Sequence, residues 1–219
     1  MRTLQSPPRL TPSRAGVVTD KFSFFFAFYG LILGLAVTEL LGGFAGMVRA
    51  QAVKKIEAQT ALLALLTFVL ICATWVDAFN MSQGITLDFS DLWSPILLAT
   101  FYYLAAAVVF PREREQYVHL HAWFGARRKF VVGMLLAAEA VDHVANFSWY
   151  IDQHAHQPPH FWGWLIPYNL AIDGCFIALF LVRSRRATIG LLVGEILLFL
   201  VPYWHEGAID RMSMRLFGY

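Results

Sequence analysis

The chain has 219 residues, 58% of them hydrophobic and 15% charged, and a formal net charge of +2. Soluble domains carry about 25% charged residues, so the composition excludes an ordinary soluble globular chain. The small net charge, with Lys and Arg in loops and the two terminal tails, gives a nucleic-acid-binding reading no support.

Residues 1–21 are polar and Pro-containing, lack the short apolar core of a signal peptide, and are expected to form a disordered tail. Apolar runs follow at 22–48, 58–79, 92–110, 130–150, 161–182 and 187–204. A run of roughly 18 apolar residues reads as a membrane span, because about 20 helical residues cross the hydrocarbon core. The expected fold class is therefore all-α: a polytopic transmembrane helical bundle of six spans over 22–204, followed by a C-terminal tail, 205–219. Gly30/Gly34 and Gly42/Gly46 in the first run are small-xxx-small pairs, suited to close helix packing. Segment 111–129 mixes charges with Tyr117, Trp123 and Phe124 and is expected to lie on the membrane surface as a short amphipathic helix.

Basic residues set the orientation. Arg49, Lys54 and Lys55 follow the first run. Arg112, Arg114, Arg127, Arg128 and Lys129 lie between the third and fourth, and Arg183, Arg185 and Arg186 between the fifth and sixth. The two other loops contain no Lys or Arg. The positive-inside rule then makes 49–57, 111–129 and 183–186 cytoplasmic and both termini external. Arg2, Arg9, Arg14 and Lys21 run against this, as one tail against five loops. Trp75, Phe79, Trp93, Trp149, Phe161, Trp162, Trp164, Tyr203 and Trp204 would form an aromatic belt at the outer interface.

Carboxylates interrupt the apolar runs. Glu39 lies ten residues before Arg49, Glu139 ten after Lys129, Asp173 ten before Arg183 and Glu195 nine after Arg186. At 1.5 Å per residue each is about 15 Å from the basic flank, near mid-bilayer. Tyr102 and Thr67 give the third and second runs a polar group at similar depth. Similar residues at one depth in the first and fourth runs fit a 3+3 inverted repeat. A charge at the bilayer centre costs about 2.5–3.5 kcal/mol. Without an intramembrane Lys or Arg, these carboxyls must hold protons, bond to hydroxyls, face water or bind a cation, or else bridge helices structurally. Glu139, Asp142 and His143 stand at i, i+3 and i+4, which puts them on one helix face and suits a proton relay or a divalent metal.

His154, His156 and His160 form a second candidate, an external metal site or simply solvated loop histidines. Haem is disfavoured, since only one His lies clearly within a run and a bis-His site needs two. The two cysteines, Cys72 and Cys175, form no CxxC and read as packing residues. No phosphate loop, Ser-His-Asp order or HExxH is present, which favours a non-enzymatic role.

At GLILGLAVTELLGG and FYYLAAAVVFP the chain resembles small multi-pass bacterial inner-membrane proteins. The resemblance covers the first and third runs and implies a bacterial cytoplasmic membrane but no activity. The leading functional expectation is a small transporter or channel for protons or a cation. The alternative is a non-catalytic membrane subunit or scaffold, with the bilayer and a homo-oligomer or larger membrane complex as partners.

Overall fold

Long apolar runs become helices because a backbone shielded from water must satisfy its own N–H and C=O groups. The computed structural model describes residues 14–52, 56–81, 92–112, 120–155 and 159–204. They form six helices: α1 (Arg14–Arg49), α2 (Ala58–Met81), α3 (Trp93–Val109), α4 (Leu120–His154), α5 (Pro159–Leu181) and α6 (Arg185–Trp204). No strand occurs among the described residues. Two segments, Ser23–Arg49 and Ala58–Phe79, are long and apolar enough to cross a membrane; Trp93–Val109 and Leu165–Leu181 are apolar but shorter. Residues 1–13, the tail 205–219, the loop 82–91, and Tyr117 within 113–119 lie outside the described residues.

Two boundaries differ from expectation. Helix α1 begins at Arg14, inside the segment read as a tail. Residues 120–129 are not a separate surface helix but the first turns of α4, which has no proline to break it. They are fastened to the end of α3: the Trp123 indole N–H donates to the Val108 carbonyl at 3.2 Å, and Phe124 is buried. The Arg127 guanidinium caps the Trp123 ring at 5.2 Å.

The helices close into a ring in the order α1, α3, α4, α5, α6, α2, and α2 also touches α3 and α4. Each contributes a buried stripe at helical spacing, such as Tyr29, Leu33, Ala36 and Leu40 on α1 and Leu98, Tyr102, Ala105 and Val109 on α3. A 3+3 inverted repeat would make α4 and α6 the counterparts of α1 and α3. Helices α1 and α3 pack extensively, but α4 and α6 are not among the closely packed pairs, so the described helices do not follow that symmetry. The similar residues that suggested it are a feature of sequence only.

Local chemistry accounts for the helix ends and irregularities. At the end of α1 the Ala52 N–H bonds to the Met47 carbonyl at 2.9 Å and the Gln51 N–H to Val48 at 3.0 Å. This is a Schellman arrangement, and Gln51 occupies its left-handed position at φ 56°. In α6, Pro202 has no N–H to offer the Leu198 carbonyl. The Tyr168 hydroxyl donates to that carbonyl at 2.6 Å and ties α5 to α6. Of the predicted glycine contacts, Gly30 packs against Trp75, where a Cβ would stand 3.2 Å from the indole nitrogen, whereas a Cβ at Gly34 or Gly42 would meet nothing within 4 Å.

Candidate functional site

Buried acidic side chains converge inside the ring. Glu139 on α4 is buried, and Glu195 on α6 is completely so. Neither Glu195 carboxyl oxygen has a hydrogen-bond partner among the described residues. The Cys175 thiol of α5 sits beside it and is its neighbouring weak donor. Glu139 lies in the electrostatic field of Asp142, Glu195, Asp173 and Asp77, which brings α4, α6, α5 and α2 to one region. Helix α3 supplies Tyr102, fully buried, whose hydroxyl shares a 2.8 Å hydrogen bond with Thr74 of α2 and faces Glu139 and Asp142. Helix α1 supplies Tyr29, buried near Asp142 and Asp77.

Depth along the helices orders these groups. Counted from Lys129, Arg183 and Arg185, the residues Glu139, Asp173 and Glu195 lie about 15 Å from the basic end, and Asp142 about 20 Å. Asp77, counted from Glu57, lies about 30 Å from it. Along their own helices Glu139, Asp173 and Glu195 thus stand at similar counts from a basic residue, with Asp142 and Asp77 farther along theirs.

Several candidate residues fall elsewhere. Glu39 is not in the cluster; it is half-buried between α1 and α3 and forms an ion pair with Arg112. Its depth was misjudged because α1 overshoots α3. Gly43 packs on Phe110, so residues 44–49 run on past the end of α3 by about 9 Å. His143 is exposed although only about 40° round the helix from buried Glu139, so the packed face of α4 ends between them. Thr67 is buried but bonds its own helix, donating to the Leu63 carbonyl at 2.9 Å. His156 and the side chains of His154 and His160 lie outside the described residues. Among the described residues no three His, Cys, Asp or Glu side chains stand close enough to hold one metal ion.

Asp77, Tyr29 and Thr74 were missed. Asp77 carried a direct signal, an ionisable residue inside the apolar WVDAF. Tyr29 differs from the phenylalanines before it only by a hydroxyl, and nothing in the sequence brings it to a carboxylate.

No protein-family model, curated protein or solved structure matches the chain.

Polar contacts gather at the other end of the bundle. Arg185 reaches Glu57 at 3.6 Å, and Arg128 donates to the Thr188 hydroxyl at 3.1 Å, joining α6 to the start of α2 and to α4. Partial burial pulls the Arg128 guanidinium below its ordinary pKa. Thr188 in turn donates to the Ser184 carbonyl at 2.9 Å, so this end is a braced set of loops and helix starts.

Proposed function

We propose that this chain is a multi-pass membrane protein whose interior carboxyls carry protons across the bilayer. The membrane part is supported by the outer surface. All six helices expose large apolar side chains, among them Leu31 at 67%, Val144 at 72%, Leu170 at 64% and Leu197 at 55%. Soluble monomers rarely show contiguous apolar patches beyond a few hundred Å², whereas a lipid-facing bundle is apolar all round. The positive-inside rule orients the basic loops to the cytoplasm, and the resemblance of the first and third runs adds a bacterial inner membrane.

The proton part is carried by Glu195. Its carboxyl is fully buried and both oxygens lack a partner among the described residues. A helix-bridging carboxyl would be bonded across to a neighbour. An ionised carboxyl buried there would carry a large desolvation cost, with the Cys175 thiol as its neighbouring donor. Such a group can take up and release a proton, and Glu139, Asp142 and Asp77 lie close enough to act on one another electrostatically. Direct coordination of a metal by three side chains has no support among the described residues.

The test is proton flux in proteoliposomes under an imposed pH gradient. Glu139→Gln and Glu195→Gln keep size but cannot titrate. Both variants are expected to insert and remain assembled while losing the flux. Unchanged flux in both would overturn the reading. Loss of assembly in both would favour the scaffold.

A further inference from the structure

Away from the interior carboxyls, α1 and α3 leave an open cleft of about 240 Å³ near the basic end. Its floor is small, with Gly42, Gly43 and Ala106, and its rim is charged, with Glu39, Arg49 and Arg112. Glu39 pairs with Arg112. Arg49 has no ion-pair partner among the described residues, so the rim carries two cations against one anion.

On the other side of Phe110, an apolar groove of about 200 Å³ runs between α1 and α2 past Leu41, Phe44 and Phe68. Phe110 lines both spaces, and its ring packs on Phe44 with centroids 6.1 Å apart. The two spaces therefore adjoin, one cationic and one apolar.

We infer that this paired cleft binds one anionic phospholipid, its phosphate held by Arg49 and Arg112 and one acyl chain lying in the groove beyond Phe110. The inference rests on the membrane reading above. Guanidinium forks match phosphate oxygens in pairs. Arg112 has five N–H donors, and Glu39 fixes the fork while leaving donors for a ligand. A free phosphate would use the rim and leave the groove uncovered. A neutral lipid would cover the groove and leave Arg49 unmatched.

The test uses the full chain purified in detergent, with its melting temperature followed against phosphatidylglycerol, phosphatidylcholine and inorganic phosphate. Phosphatidylglycerol is expected to raise it at concentrations about tenfold below those needed of phosphatidylcholine, and inorganic phosphate to leave it unchanged. Arg49→Gln is expected to weaken that response about fivefold, the usual share of one basic residue at an anionic lipid surface. Gly42→Leu places a side chain in the cleft at a position where its Cβ meets nothing within 4 Å. It is expected to abolish the response and keep the lipid-free melting temperature; should it not fold, Arg49→Gln alone decides. Equal responses to both lipids, a response to phosphate alone, or a wild-type response in Arg49→Gln would overturn the site. Membrane fractions washed with alkaline carbonate separate the two readings. Release of the chain without detergent overturns the membrane reading and the site together; retention without phosphatidylglycerol selectivity overturns the site alone.

Discussion

The hydroxyls of Tyr102 and Thr74 share a 2.8 Å hydrogen bond that joins α3 to α2 beside the interior carboxyls. Tyr102 is completely buried, so its hydroxyl has no access to bulk water. Removing either partner strands the other. Tyr102→Phe and Thr74→Val are each expected to destabilise the bundle, with a coupling of about 0.6 kcal/mol and at most about 1.7 kcal/mol. A double-mutant cycle in mixed-micelle denaturation measures it. Strict additivity would mean that the bond contributes nothing to packing.

Glu195 is expected to behave oppositely. Because its carboxyl oxygens lack partners among the described residues, Glu195→Leu removes a buried polar group without breaking a hydrogen bond. Stability should hold or rise, by about 1–3 kcal/mol at most. Proton flux should vanish. A fall in melting temperature with normal flux would contradict both the geometry and the proposed role.

The bond from Tyr168 to the Leu198 carbonyl compensates for the N–H missing at Pro202. Tyr168→Phe should cost about 1–3 kcal/mol, the usual penalty of an unsatisfied buried polar group. In a Pro202→Ala background the helix supplies its own N–H, and the cost of Tyr168→Phe should shrink. Equal costs in the two backgrounds would show that the hydroxyl acts by packing alone.

Gln51 holds a left-handed conformation, φ 56°, at the end of α1. An L-residue with a side chain pays about 1–2 kcal/mol in that region, and glycine does not. Gln51→Gly is expected to raise the unfolding free energy by about 1 kcal/mol, less what glycine loses in the unfolded chain. Thermal denaturation in detergent measures it. Destabilisation would mean that the Gln51 side chain makes contacts that outweigh the strain.

The number of helices and their approximate ends were legible in the residues, because apolar runs of membrane length leave the backbone one way to bond. The contacts of Glu57 with Arg185 and of Arg128 with Thr188 came only from the packing of α2, α4 and α6. The acidic character of the interior could also be read, since Glu139 and Glu195 interrupt runs that are otherwise apolar. Which carboxyls meet was decided only by the tertiary structure. Counting from a flanking charge assumes that every helix starts at one level, and α1 overshoots α3, which takes Glu39 to Arg112 instead of the interior. Spacing along α4 groups Glu139, Asp142 and His143, but the packed neighbours decide how wide the buried face is, and it ends before His143. Asp77 and Tyr29 join Glu139 and Asp142 because α2 and α1 are folded against the same interior, a relation between distant segments that no local pattern encodes.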